Sequence, residues 1–192
     1  VLVLASKSPR RQQILRDAGI PFIVRAADVL EERGRGEGPI DYVRRLAEAK
    51  AFAVPMEPGE VVLGADTTVV IDDHVLEKPR DTSDALRMIG LLSGREHAVI
   101  TGICLRSESK KLVDVAITRV RFAKLTREEI ETYAASGEPM DKAGAYAIQG
   151  LASKFIDRIE GDYFNVVGLP VALVYRHLRA LLEQDLYGVG GI

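Results

Sequence analysis

The chain has 192 residues, is 47% hydrophobic and carries a formal net charge of −2, enough to bury a substantial core as one domain or two small lobes. That balance argues against a dedicated nucleic-acid binder, and no apolar run approaches the ~20 residues needed to span a bilayer. A single cysteine, Cys104, excludes an internal disulfide and suits a reducing compartment, so a soluble cytoplasmic protein is expected.

The apolar run at residues 1–5 predicts a strand; it is too short for a signal-peptide core and lacks a cationic leader. Ser6-Lys7-Ser8-Pro9-Arg10-Arg11 follows. Ser8 suits a helix cap and Pro9 the first helical position, where no amide partner is needed. Ile14, Leu15 and Ala18 supply an inward face and Gly19 a stop. Four cations and no acid lie between Lys7 and Arg16. A helix start is already positive, so this segment works against its own electrostatics unless an anion such as a polyphosphate joins it. A solvated basic turn is the alternative.

Residues 22–24 read as extended and residues 31–39 as a polar loop. Gly34-Arg35-Gly36-Glu37-Gly38 does not lead from a strand into a helix, which rules out a dinucleotide fingerprint. A helix is predicted from about residue 40 to 54, then strands at 60–65 and 68–71, a polar turn at Asp72-Asp73, and Val75-Leu76 beyond it. Thr82 or Ser83 is expected to cap a helix ending near Gly94. Strands at 97–106 and 113–125 form a hairpin through residues 107–111. Thr126 and Glu129 make a capping box for a helix stopped by Gly137. Residues 155–159 and 163–167 flank the turn Glu160-Gly161-Asp162, and Pro170 opens a last helix to about Gln184. The Gly-rich end is expected to fray. Long hairpins beside helical crossovers predict a mixed sheet.

Several residues break their local pattern. Asp66 is a lone carboxylate at the end of a buried apolar run, costly unless paired with a cation or metal; a turn-tying aspartate is the alternative. Val43, Leu46, Ala47 and Lys50 share one helical stripe, which turns an ammonium inward, unless the lysine snorkels to water. Lys78 follows a short strand and precedes Pro79, and by itself is an ordinary surface lysine. Two glycines and small residues around Tyr146 and Gln149 suggest tight backbone packing near a ligand, and an amide such as Gln149 can read a base edge. A turn entering a strand would explain that segment as well. Cys104 reads as a buried strand thiol. There is no GxxxxGK[ST] loop, GxSxG elbow or HExxH helix, and His74, His97 and His177 are dispersed. Cations with scattered carboxylates suit phosphate chemistry assisted by a hard ion such as Mg²⁺.

The segments Ala5-Ser6-Lys7-Ser8-Pro9-Arg10-Arg11, Gly64-Ala65-Asp66-Thr67, Glu77-Lys78-Pro79, Leu92-Ser93-Gly94-Arg95 and Asp141-Lys142-Ala143-Gly144-Ala145-Tyr146-Ala147-Ile148-Gln149-Gly150 resemble, in order, those of Maf proteins. Gly161-Asp162-Tyr163 and Val167-Gly168-Leu169-Pro170 extend the resemblance over essentially the entire chain. It implies one Maf-type nucleotide pyrophosphatase domain over residues 1–192. The implied fold is α/β and similar to inosine triphosphatase: an elongated mixed β-sheet flanked by helices, two lobes and a central cleft. The version of the Lys142 to Gly150 segment resembles the subgroup acting on dTTP and UTP, as opposed to the one preferring 7-methyl-GTP.

By resemblance, Asp66 is the catalytic carboxylate, as general base or metal ligand. Arg10, Thr67 and Gln149 match specificity positions, and Ser8, Arg11, Lys50 and Lys78 match phosphate-holding ones. A second acid falls within Asp28-Val29-Leu30-Glu31-Glu32; counting from Pro21-Phe22 favours Glu31, with Glu32 the alternative. A divalent cation, Mg²⁺ or alternatively Mn²⁺, would be held by Asp66 and Glu31. The expected partner is a nucleoside triphosphate, without nucleic acid or membrane, and a homodimer is compatible although no interface is marked. The alternative function is a nucleotide-binding regulator of septum formation with little catalysis.

Overall fold

In the computed structural model, residues 1–26 and 28–187 are described, with side chains through Leu181; the Gly-rich end expected to fray lies outside them. The chain divides into two compact units. The first comprises residues 1–66, 101–116 and 168–192, and the second residues 67–100 and 117–167.

In the first unit, strand β1 (Leu2–Leu4) is buried throughout. It pairs in parallel with β2 (Phe22–Val24) and with β3 (Val61–Ile71), Leu2 lying opposite both Phe22 and Val61. Successive side chains of β1 point to opposite faces of the sheet and all are buried, hence the unbroken apolar run. Helix α1 (Pro9–Asp17) connects β1 to β2. Ser8 caps it, Pro9 opens it, and Gly19 ends the turn at a φ of 66°. Ile14 and Leu15 face inward as predicted, whereas Ala18 is exposed, because the helix has already ended there.

Helix α2 (Pro39–Phe52) buries Tyr42, Val43, Leu46, Ala47, Lys50 and Ala51. Ala47, Ala51 and Val54 pack with Val3, Val62 and Cys104 in one apolar cluster. Two glycines permit this approach. A Cβ at Gly64 would stand 2.1 Å from the Ala47 carbonyl oxygen, and one at Gly102 would stand 2.4 Å from that of Val43. Cys104 is fully buried as expected, and burial pushes its thiol up to about 11.

In the second unit, β3 continues to an Asp72-Asp73 turn and pairs antiparallel with β4 (His74–Leu76). Both aspartates have positive φ, 46° and 61°, the conformation of a tight hairpin turn. The break expected in β3 between residues 65 and 68 is absent, and Asp66 lies within a continuous strand. Helix α3 (Thr82–Leu92) is capped by Asp81, not Thr82 or Ser83; the Asp81 carboxylate accepts from the Asp84 amide at 2.8 Å.

Strands β5 (Glu96–Arg106) and β6 (Lys111–Phe122) carry residues of both units and meet at a turn closed by the Ser107 amide donating to the Lys110 carbonyl at 2.8 Å. Helix α4 (Arg127–Ala135) has the predicted capping box: Thr126 and Glu129 exchange bonds of 2.7 and 3.2 Å. Strand β7 (Ile156–Glu160) pairs antiparallel with β6, and α5 (Tyr163–Val167) is a short helix. The core of this unit gathers Val69, Met88, Ile89, Leu92, Phe122 and Phe155.

Helix α6 (Val171–Tyr187) is the last element among the described residues. The strands form a seven-stranded mixed sheet in the order β2-β1-β3-β5-β6-β7, with β4 beside β3, so the α/β class expected from the sequence holds. No helix among the described residues is long and apolar enough to cross a membrane.

Candidate active site

The first unit concentrates charge around Lys50. Lys50 lies on the inward stripe of α2 and is only 8% exposed. Its Nζ lies 2.6 Å from Asp66 Oδ1 and 2.6 Å from Glu31 Oε1. The lysine therefore does not snorkel to water; it is held between two carboxylates. This explains why a charged residue can occupy the middle of β3, since the Asp66 carboxylate is matched where the ladder buries it. Burial raises the Asp66 carboxyl above the usual aspartate range, with the nearby Glu31 charge adding to the rise and Lys50 and Arg11 opposing it.

The acid that reaches Lys50 is Glu31, not Glu32. The Tyr42 hydroxyl donates to the Glu31 backbone carbonyl at 3.2 Å. Arg45 donates to the Glu32 carbonyl at 2.9 Å and clasps both carboxylate oxygens of Glu37, at 2.7 and 2.9 Å. These bonds tie the loop ahead of α2 to the helix that carries Lys50.

At the start of α1, the Ser8 hydroxyl accepts from the Arg11 amide at 3.4 Å. The Ser6 hydroxyl accepts from the Ser8 amide at 3.2 Å and from Arg11 Nη1 at 3.3 Å, while Arg11 Nε donates to the Gly168 carbonyl at 2.8 Å. Burial lowers the Arg11 guanidinium below its ordinary value, and the Asp66 and Glu31 charges oppose that fall. Arg11, Glu31, Lys50 and Asp66 thus act on one another electrostatically, although they come from four separate stretches of sequence. Arg10, beside Arg11, is half-buried.

Asp66 and Glu31 each present a carboxylate oxygen to Lys50, and such hard donors are the chemistry that Mg²⁺ prefers when substrate phosphates and water complete its shell. Among the described residues, no group of three or more His, Cys, Asp or Glu side chains could hold a metal on its own. The two carboxylates accordingly fit an ion that arrives with a phosphate ligand.

Thr67, Lys78 and Gln149 belong to the second unit. Thr67 is half-buried; Lys78 and Gln149 are exposed. The Glu77 carbonyl next to Lys78 accepts from the Gly144 amide at 3.1 Å. A Cβ at Gly144 would meet Val69 at 2.7 Å, and Ala145 adopts a φ of 62°, so the backbone here is as tightly packed as the sequence suggested. Tyr146 is buried, with its hydroxyl 2.7 Å from His97 Nε2. Burial draws His97 down to about 4, keeping it neutral.

Sequence reasoning missed Ser6, Tyr42, Gly168 and His97. Ser6 and Gly168 had a signal, since both lie in the quoted segments, but only the fold shows that they grip the same guanidinium.

The family model described as Maf-like protein matches residues 1–181. A protein of Koribacter versatilis (strain Ellin345) named dTTP/UTP pyrophosphatase is 54% identical over 179 residues, covering 93% of each chain. A protein of the same name from Symbiobacterium thermophilum is 54% identical over 171 residues, 88% of each chain. Another from Exiguobacterium sibiricum is 48% identical over 186 residues, 97% of this chain and 95% of that one. Among solved structures, a HAM1 protein from Coxiella burnetii matches 65% of this chain and 73% of its own at 18% identity, with a TM-score of 0.46, too slight a likeness to bear on function.

Proposed function

The chain belongs to the Maf-like family, and on that premise we propose that it is an enzyme hydrolysing dTTP and UTP to the monophosphate and pyrophosphate. The observation that carries this reading is the buried Asp66–Lys50 pair, joined by the exposed Glu31, with Arg11 held within its field.

Asp66 is the general base. It accepts a proton from the attacking water as the new oxygen–phosphorus bond forms at the α-phosphorus, and the bond to the bridging oxygen breaks to release pyrophosphate. Lys50 holds Asp66 in place and, with Arg11, Lys78 and Ser8, offsets the charge of the phosphates. Arg11 is already oriented by Ser6 and Gly168, so little side-chain freedom is lost when phosphate binds. The amides at the start of α1 add a fixed positive field. Arg10, Thr67 and Gln149 read the base, Gln149 through an amide that can donate and accept at once.

Asp66 and Glu31 would hold a divalent cation, Mg²⁺ or alternatively Mn²⁺, which when bound neutralises phosphoryl oxygens and acts as a Lewis acid. We read the two units as one functional domain, since Asp66 and Thr67 are consecutive residues of β3 yet fall in different units. The cytoplasm is the proposed location and a homodimer the proposed assembly, the latter to be measured by sedimentation.

The test is a panel of canonical triphosphates with Mg²⁺, scoring products. The reading expects monophosphate and pyrophosphate from dTTP and UTP, loss of turnover with a chelator and its return on adding Mg²⁺. Diphosphate as product, or a preference for purines, would overturn it. Nucleotide binding without pyrophosphate release would leave the regulatory alternative.

A further inference from the structure

Gln149 lies in a segment with few regular backbone bonds. Short 3-10 turns at Glu138–Asp141, Ala143–Ala145 and Leu151–Phe155 surround it. In such a segment the place of a side chain depends on how the loop is closed. One carboxylate closes this loop across 13 positions: Glu138 Oε2 accepts from the Leu151 amide at 2.9 Å. Its other oxygen, Oε1, accepts from the Tyr133 hydroxyl of α4 at 2.8 Å.

Gly150 leaves the room this needs, because a Cβ there would stand 2.2 Å from Glu138 Oε2. The Gly150 amide donates to the Ala147 carbonyl at 3.2 Å. The backbone of Gln149 is therefore held from both sides, by a turn before it and by Glu138 after it. Lys142 Nζ adds a brace by donating to the Glu138 carbonyl at 2.7 Å.

We propose that Glu138 is a positioning residue for base selection: its carboxylate sets the backbone that presents Gln149 and thereby the preference for pyrimidine triphosphates. This rests on the reading of Gln149 as a base-reading residue. The Glu138 carboxylate is engaged by the Leu151 amide and the Tyr133 hydroxyl. Both of its oxygens are acceptors for fixed donors, so a substitution that loses one bond lets the 149–151 backbone relax.

The experiment compares kcat/KM for UTP and GTP in Glu138→Ala, Glu138→Gln and Gln149→Ala. Glu138→Ala should lower the UTP-to-GTP ratio about tenfold, the scale of one lost bond to a charged group. A general loss of folding would lower both substrates together and leave the ratio alone. Glu138→Gln should keep the ratio within about threefold, since its amide oxygen can accept from Leu151 while the Tyr133 hydroxyl rotates to accept from the amide nitrogen. Amide exchange at Leu151 should quicken in Glu138→Ala and not in Glu138→Gln. A ratio unchanged by Glu138→Ala but reduced by Gln149→Ala overturns the proposal alone; a ratio unchanged by Gln149→Ala removes the base-reading role and the proposal with it. If Glu138→Ala does not fold, Glu138→Asp decides. One methylene shorter, it cannot reach both donors, so the ratio should fall about threefold, and an unchanged ratio overturns the proposal.

Discussion

Two buried aspartates, one in each unit, show how differently the two regions treat the same side chain. Asp84 in α3 is 6% exposed and Asp66 in β3 is 7% exposed. Asp84 accepts from the Arg80 amide at 3.2 Å and from two nitrogens of Arg87 at 2.9 and 2.7 Å. Burial would raise its pKa, yet these bonds together hold it below the ordinary value. Asp66 is matched by Lys50 but shares that lysine with Glu31, and burial wins. The first carboxylate is saturated and locked as an anion. The second is left basic, with its one strong partner divided. Burial alone does not mark a reactive group; the balance of donors around it does.

The sharpest way to break this contrast is to neutralise each aspartate. Asp66→Asn should lower pyrophosphate release at least about 1,000-fold while nucleotide binding, followed by calorimetry, persists. Asp84→Asn should cost about 1–3 kcal/mol in urea unfolding and leave turnover within about twofold. Equal turnover in the two variants would end the distinction. Next in size is Lys50→Met, which strands two acids beside each other. Unfolding in denaturant should show a loss of about 3–5 kcal/mol, with turnover down about 100-fold.

His97 sharpens the comparison from the neutral side. Its folded pKa of about 4 lies below the unfolded value of 6.5, so its contribution is fully present above pH 6.5 and is lost as pH falls toward 4. That window is worth about 3 kcal/mol. Urea unfolding of His97→Gln should lack that part of the acid loss seen in the parent; matching pH profiles would count against a neutral buried imidazole.

Arg11→Lys keeps the charge but not the fork that meets Ser6 and Gly168. It should lower kcat/KM about 30-fold with little change in stability. The smallest effect is in the caps. Ser8→Ala and Thr126→Ala should each cost about 1 kcal/mol by thermal unfolding, but only the first should also weaken substrate binding.

What the sequence made legible was local. Ser8-Pro9, the Thr126–Glu129 box and the stripe ending at Lys50 each rest on neighbours within two turns, and each stands where expected. Asp81 displaced Thr82 and Ser83 as a cap because all three are good cap residues and only the backbone entering α3 decides among them. The break expected in β3 at Asp66 is absent, and the cation that matches its charge lies 16 positions back on α2. The grip of Gly168 on Arg11 spans 157 positions, beyond the reach of any periodicity. Glu31 and Glu32 are chemically equivalent in sequence, and only the fold shows that Glu31 meets Lys50, at 2.6 Å.

The bare backbone at Gly64 has a consequence of its own. A methyl group there would collide with α2 at Ala47, one turn before Lys50, and could be accommodated only by lifting the helix from the sheet. A library of random variants scored for activity would thus flag Gly64 beside the acids, even though it has no side chain to contribute. The atoms in the way are backbone, the Ala47 carbonyl oxygen and the Ala51 amide nitrogen, so trimming a side chain of the opposing helix should not repair such a lesion, and reversion at Gly64 itself is the expected rescue.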